Sequence, residues 1–365
     1  MRPGRDQLCY PTRLSSEEWT LADLTGLAVR PFSTGDRDSW IRVFEAVFGG
    51  PLGGSDSAEH FEWLYLRNPD SHLWITIAVP EDGDRVVPEV AASYSMIPRR
   101  FWVEGSERMG ALSLDTLTGS PWRNRGLFVH LAKETYARAG REGGSFVYGF
   151  PNPNSKPGFL KHLGWRLLPS PIVLATAKPM AWLQRWAGRA APRERSDDGL
   201  RMRVATEIDG RFDELWRRTR PRFAVSAVRD RAFVAWRWSR PTGGYQVAIA
   251  EDGAGSLVAA CVTAVVPRSE GPRAFLVDFL APEGCDDALR RLIHFAAARR
   301  VQEDGARLVQ AAISPDSPLR AVLGGFRAVP RRLASPIVLG AAALTPGGAP
   351  GDAGWHITYA DTDTI

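Results

Sequence analysis

The sequence predicts an α+β protein with mixed sheets, organised as two similar units in one chain. Three observations carry this. Strand-like and helix-like segments alternate through both halves. A chain of 365 residues is long for one domain and sufficient for two, each burying its own core. Short segments of the first half also return, in order, in the second.

The elements follow in sequence. Residues 1–26 show no clear period and read as an arm, with Trp19, Leu21 and Leu24 available to dock on a core. A strand is expected over 27–32, then a helix over 36–48 with Trp40, Val43, Phe44 and Val47 on one face. The Gly- and Pro-rich run 49–54 interrupts it, and residues 60–66 restore an aromatic helical segment. Strands are expected over 74–79, 89–97, 101–104 and 108–117.

Residues 112–131 pass from strand to tight loop to helix. Leu112, Leu114 and Leu117 alternate with small polar residues, Gly119-Ser120-Pro121 breaks the strand, and Leu127, Phe128 and Leu131 recur at helical spacing. The helix continues over 129–139 to Gly143-Gly144, and 146–150 forms the next strand. Residues 188–199 are polar and breaker-rich, so the expected units are 27–187 and 200–345, with a tail over 346–365.

The internal echoes support that division. Trp63, Tyr65, Arg67 and Pro69 are matched by Trp236, Trp238, Arg240 and Pro241. Asn154 to Pro157 precedes Gly164-Trp165-Arg166 as Pro315 to Pro318 precedes Gly325-Phe326-Arg327, at the same interval. Ser170-Pro-Ile-Val-Leu174 recurs letter for letter as Ser335-Pro-Ile-Val-Leu339.

Composition narrows the function classes. Hydrophobic residues make up 44% and charged residues 24% of the chain, and no apolar run reaches the roughly 18–20 residues that span a bilayer. The start of the chain lacks the apolar block of a secretory signal, so a cytoplasmic protein without a membrane partner is expected. The net charge of +5 is spread over both halves, which argues against nucleic acid. Cys9, Cys261 and Cys285 are far apart and show no metal spacing, so neither a disulfide framework nor a metal site is expected.

The chemistry concentrates at Arg123-Asn124-Arg125-Gly126. A loop feeding the first turn of a helix presents unpaired N–H groups and the positive end of the helix dipole. Gly126 lets the backbone approach an anion, Arg123 and Arg125 add fixed charge, and the preceding strand offers edge amides to an extended arm. A pyrophosphate with a long tail suits that shape.

This loop resembles the Arg/Gln-x-x-Gly-x-Gly/Ala acyl-CoA loop of the GCN5-related N-acetyltransferases, with Phe128 in place of the final small residue. Residues 148–165 resemble the strand, asparagine-led helix and closing Gly-aromatic pair of the same family, and the similarity over residues 28–175 is to its branch with two domains in one chain. The resemblance implies two tandem domains of that fold. It also implies acetyl-CoA or another acyl-CoA as cosubstrate, a small-molecule amine as acceptor, direct attack without metal, and a monomer or homodimer. Leu117, Thr118, Gly119, Arg123, Asn124, Arg125, Gly126, Leu127, Phe128 and Asn154 are then the expected cofactor contacts, although an asparagine near a helix start can equally be an N-cap.

For proton transfer, Asp115 on the central strand and His162 on the following helix are candidates. In two-domain relatives the tail can return to the acyl site, which adds Asp361, Asp363 and the terminal carboxylate. Family members often carry a tyrosine acid where this chain has Phe159 and Leu160, leaving Tyr148, Tyr94 or water for that role. Aromatic residues of the first half are expected mainly in the core, with Trp122 beside the loop as the exception. The second half has acidic Glu283, Asp286 and Asp287 where the phosphate loop would recur, so one cofactor per chain is expected. Two other readings stay open: an aminoacyl-tRNA-dependent transferase, which needs a basic RNA path, and a ligand-binding protein without turnover.

Overall fold

A computed structural model of the protein describes residues 22–54, 56–70, 72–81, 89–176, 194–197, 199–241, 243–269, 271–329 and 337–362. Most of the expected arm and linker, together with Asp363 and the chain end, lie outside the described residues.

In chain order the first half contains β1 (Leu27–Pro31), α1 (Arg37–Phe48), α2 (Ser57–Phe61), β2 (Trp74–Pro80), β3 (Ala92–Val103), β4 (Ser106–Thr118), α3 (Leu127–Arg141), β5 (Gly144–Gly149), α4 (Lys156–His162), β6 (Arg166–Leu167) and β7 (Ile172–Thr176). The second contains β8 (Glu194–Asp197), β9 (Leu200–Val204), α5 (Arg211–Thr219), β10 (Val225–Ala227), α6 (Arg231–Arg237), β11 (Gln246–Glu251), β12 (Leu257–Val266) and β13 (Arg273–Leu280). It continues with α7 (Asp286–Asp304), β14 (Leu308–Ile313), β15 (Arg327–Ala328), β16 (Gly340–Ala343) and β17 (Trp355–His356).

The strands expected separately over 89–97 and 101–104 are one strand, β3. Pro98 does not break it, because it lies between Met96, the last residue paired with β2, and Phe101, the first paired with β10. On that edge no ladder is interrupted. The hairpin to β4 turns through Glu104 and Gly105, both at positive φ (47° and 91°), as a two-residue turn matched to strand twist requires.

The first sheet runs β1-β2-β3-β4-β5-β16-β6, and the second runs β8-β9-β11-β12-β13-β14-β7-β15. The halves therefore exchange strands. β16, from the end of the chain, lies antiparallel between β5 and β6, and β7 lies antiparallel between β14 and β15. Sheet membership does not divide at 188–199, as self-contained units over 27–187 and 200–345 would require. The first Ser-Pro-Ile-Val-Leu segment supplies the opening residues of β7, Ile172 to Leu174, whereas the second ends at Leu339, just before β16.

One face of the first sheet packs on α3 and α4 through Tyr94, Leu131, Val147 and Phe159. The other face carries α1 and α2 and merges with the second half in one apolar cluster that includes Ile75, Phe101, Trp236 and Phe279. Burial across that join makes the halves one packed body.

Candidate active site

β4 and β5 pair in parallel from Met109↔Gly144 to Ser113↔Gly149. Beyond Ser113, β4 continues to Thr118 while β5 has ended, so among the described residues no strand covers that edge of residues 114–118. At the same point β4 bulges. Asp115 and Thr116 stand opposite the single residue Tyr94, and Asp115 has φ 47°, a left-handed conformation unfavourable for a side chain other than glycine. The bulge aims Asp115 into a cavity and leaves Leu117, Thr118 and Gly119 along the open edge.

At the end of that edge lies the loop 123–126. Asn124 and Gly126 have φ 63° and 71°, and Gly126 precedes α3 without a side-chain cap, so the first-turn N–H groups of Leu127 and Phe128 point to the loop mouth. Arg123 is exposed and donates from Nε to the Thr118 carbonyl at 3.4 Å. Arg125 is placed differently from the sequence expectation: it donates to the Thr25 carbonyl at 2.7 Å and pairs with Asp23 at 3.0 Å, over the Trp122 ring. The short described part of the arm thus lies on the loop, with Asp23 N–H bonded to the Arg125 carbonyl at 2.9 Å. Backbone and side-chain hydrogen bonds from Thr25, then Arg125, hold the Asp23 carboxyl down to about 2.

Phe128 occupies the position where the loop pattern has a small residue, and its ring meets Phe159 at 5.1 Å. The facing residue is Gly158, where an added Cβ would lie 2.6 Å from that ring. A glycine on α4 therefore makes room for the large residue on α3. Asn154 is exposed; the residue organising the start of α4 is Asn152, whose Oδ1 accepts from the N–H groups of Asn154 and Ser155, both at 2.9 Å. Asn154 is not the cap.

The cavity beside the bulge measures about 230 Å³. Asp115 and Leu114 of β4, Arg99 of β3, His60, and Arg237 and Arg240 of the second half line it. Trp63 and Trp236 form another wall. The helix of α2 widens into one π turn over Glu62–Leu66, which places Tyr65 to donate its hydroxyl to Asp115 at 2.8 Å. Burial, then the charges of Arg240 and Arg237, lower His60 to about 4, so at neutral pH it is uncharged.

Residues 28–168 match the family described as acetyltransferase (GNAT) domain. This segment is a GNAT domain. No curated protein matches the sequence. Among solved structures, a GCN5-related N-acetyltransferase from Anabaena variabilis matches at 12% identity and TM-score 0.64, covering 88% of this chain and 74% of that one. A GCN5-related N-acetyltransferase from Kribbella flavida matches at 17% identity and TM-score 0.58, over 91% and 74%. The Saccharomyces cerevisiae N-myristoyltransferase with bound myristoyl-CoA matches at 13% identity and TM-score 0.54, over 89% and 80%. At these identities the likeness is one of fold.

The GNAT domain brings together Asp115, Leu117, Thr118, Gly119 and the loop 123–128, as the sequence suggested. It does not gather the other two candidates for proton transfer at the cavity. His162 ends α4 and is not among the cavity-lining residues. Asp361 is fully buried elsewhere: its Oδ2 meets Arg229 at 2.7 Å and accepts from the Thr358 N–H at 2.9 Å, while Arg229 also pairs with Asp278 at 2.9 Å. Burial pushes the Asp278 carboxyl up, and Asp361 serves as the second partner of a cation sealed from solvent. Tyr94 and Tyr148, open candidates for the acid, are buried and raised by that burial, Tyr94 bonding Ser113 Oγ at 2.7 Å and Tyr136 at 2.8 Å.

The tail does return to the GNAT domain. Arg99 Nη2 and Arg237 Nε donate to the Ala360 carbonyl, each at 3.3 Å, and Arg237 Nη2 to that of Thr362 at 3.2 Å. On its way the tail fills the corresponding gap in the second sheet, where β13 and β14 pair only to Leu276↔Ala311. Ile357 exchanges bonds with Ser314, its N–H donating to Oγ at 2.9 Å and its carbonyl accepting at 3.0 Å, and Thr358 Oγ1 donates to Asp278 at 3.0 Å. The loop before α7 is filled too, by Arg222, bonded to the Ala281 and Pro282 carbonyls and to Asp286 at 2.7 Å. Of the acidic residues there, Asp286 holds the chain's own Arg222 and Asp287 pairs with Arg290 at 2.9 Å. Sequence reasoning missed Arg99, which belongs to no motif, and placed Tyr65 only in the internal echo without linking it to Asp115.

Among the described residues no cluster of His, Cys, Asp or Glu is arranged to hold a metal ion, and no helix is long and apolar enough to cross a membrane.

Proposed function

We propose that the protein is an acyl-CoA-dependent N-acyltransferase, acting in the cytoplasm as a monomer or homodimer, that moves an acetyl or longer acyl group to the amine of a small molecule. The observation that carries it is the coincidence, along residues 112–119, of an open strand edge leading from an uncapped helix start and a cavity bearing a carboxylate. The GNAT fold supports acyl-CoA N-acyl transfer in general; acyl length and acceptor are the finer parts of the proposal.

In this reading the pyrophosphate lies at the first turn of α3 with Arg123, and the pantetheine arm runs along the edge from Thr118 towards Leu114. That brings the thioester carbonyl to the mouth of the cavity. The amine nitrogen attacks that carbon, the C–N bond forms and the C–S bond breaks, and CoA leaves as the thiol. The ammonium form of the acceptor loses one proton before attack and the new amide loses another after it. In this reading Asp115, which accepts a hydrogen bond from the Tyr65 hydroxyl, receives the first. Much of the rate enhancement comes from positioning two reactants in adjoining clefts.

The test is thermal stabilisation by acetyl-CoA and longer acyl-CoAs of the wild type and of Arg123→Glu with Gly126→Asp. A ligand at 100 times its dissociation constant adds about 2.7 kcal/mol. A shift confined to the wild type, followed by thiol release with an amine, supports the reading. A folded wild type that no acyl-CoA stabilises would overturn it. A shift without thiol release across an amine panel would favour a binding protein.

A further inference from the structure

The cavity carries more positive charge than a neutral amine needs. Arg99 is 2% exposed, and its guanidinium lies over the rings of Phe233 and Trp236, at 4.6 and 5.1 Å from their centroids. Nη2 reaches only a backbone carbonyl, and among the described residues no acceptor reaches Nε or Nη1. A buried guanidinium with two nitrogens lacking acceptors is unfavourable unless an anion enters. Arg237 and Arg240 line the same space, and Asp115 is the single carboxylate among its described lining residues.

The cavity is also small. About 230 Å³ lies below the roughly 300–1,000 Å³ typical of drug-sized ligands, so its occupant is compact. It has a cationic end at Arg99 and an anionic group at Asp115, on the strand whose edge faces the proposed thioester position. The Trp63 and Trp236 wall suits carbon-bound hydrogen between those ends.

We propose that the acceptor is a zwitterion of amino-acid type: its carboxylate is bound by Arg99 and its amino group is held at Asp115 for acylation. This rests on the acyltransferase reading for the reaction, but not for the binding. Arginine is suited to this role because its planar fork matches a carboxylate and keeps its charge when buried.

The experiment uses the full-length protein and matched amines with and without a carboxylate: glycine and methylamine, phenylalanine and phenethylamine, with O-phosphoethanolamine as the phosphate arm. Thiol release with the acyl-CoA that stabilises the protein best is followed in the wild type, Arg99→Lys and Arg99→Gln. Carboxylated members should exceed their partners in kcat/KM by about 10²-fold or more, since a site built for a charged partner rejects the analogue lacking it. Arg99→Gln should bring that ratio close to one, mainly through KM, with the acyl-CoA thermal shift unchanged. Arg99→Lys should keep part of it.

Equal rates within each pair, or a ratio unchanged in Arg99→Gln, would overturn the proposal. Preference for O-phosphoethanolamine over every carboxylate would overturn the carboxylate assignment. If Arg99→Gln does not fold, the wild-type ratios decide. If no amine is acylated, thermal shifts with the same amines at millimolar concentration decide: stabilisation by the carboxylated members alone supports the site, and its absence sinks it. An amino-acid shift without an acyl-CoA shift would end the transferase reading and leave the carboxylate site standing.

Discussion

Trp63 and Trp236 exchange hydrogen bonds across the join between the halves. The indole N–H of each donates to the backbone carbonyl of the other, at 2.8 and 2.7 Å, with the rings stacked 5.3 Å apart at 17°. Residues that echo one another in the sequence meet as mutual partners, so an approximate two-fold relation runs between them. Trp236→Phe removes the donor to the Trp63 carbonyl, an expected loss of about 1–3 kcal/mol, whereas after Trp63→Phe the Trp236 carbonyl still accepts from Ser239 Oγ at 2.8 Å and the Ser239 N–H at 3.2 Å, so a smaller loss is expected. Chemical denaturation of both singles and the double should show a coupling above about 0.5 kcal/mol. Additive losses would mean the two bonds act independently.

The Arg229 network predicts a different response. Asp361→Asn removes one of two carboxylates beside a sealed cation, and stability is expected to fall by about 3–5 kcal/mol. Thiol release per folded molecule should change little. Normal stability with lost turnover would restore Asp361 to the reaction.

His60 predicts a pH dependence. Its folded value, about 4, is below the ordinary 6.5, so between those limits the unfolded chain binds more protons than the folded one. Stability should therefore rise with pH through that window and flatten above it. In His60→Gln the rise attributable to this group should vanish, as read from denaturation midpoints across the same range. The ring is also wedged close to the backbone: a Cβ added at Gly53, itself at φ 69°, would lie 1.9 Å from His60 Nδ1.

Phe128 and Gly158 form a size-matched pair. Gly158→Ala should destabilise by about 1–3 kcal/mol through overpacking. In a Phe128→Ala background the same change should be close to neutral, because the ring it would strike is gone. Equal penalties in both backgrounds, measured by thermal unfolding, would break the pairing.

The Asp23–Arg125 contact predicts an effect on ligand affinity. Asp23→Asn should release the Arg125 side chain towards the loop mouth and tighten acyl-CoA binding by a small factor, with a steeper salt dependence. Calorimetric titration at two ionic strengths checks this. Weaker binding in the variant would show that the arm supports the loop instead of competing for its arginine.

The strand–loop–helix turn over 118–127 was legible because its signals are local: breakers, a helix start and a glycine within a few residues. The tail's return was legible only through resemblance. The exchange of β7 and β16 was not, since an identical Ser-Pro-Ile-Val-Leu segment opens β7 in one half and ends just before β16 in the other, and cannot by itself specify a sheet; that choice belongs to long-range packing. Asn152 and Asn154 differ by two positions in a loop, and only the backbone path decides which side chain faces the helix start. Arg125 illustrates a further limit, because its partner Asp23 lies 102 positions earlier (125 − 23) in a stretch without period. Arg99 was hidden by the absence of any local pattern around a buried cation.

The exchanged strands impose an order on synthesis. β5 and β6 emerge from the ribosome long before residues 340–343, which must lie between them, so the amino-terminal sheet is the last to be finished. A nascent chain halted after residue 187 holds every residue of the GNAT domain match and still has an unfilled slot beside β5. A chain terminated there thus carries an incomplete first sheet, and the wholeness of that sheet is a property of the longer polypeptide.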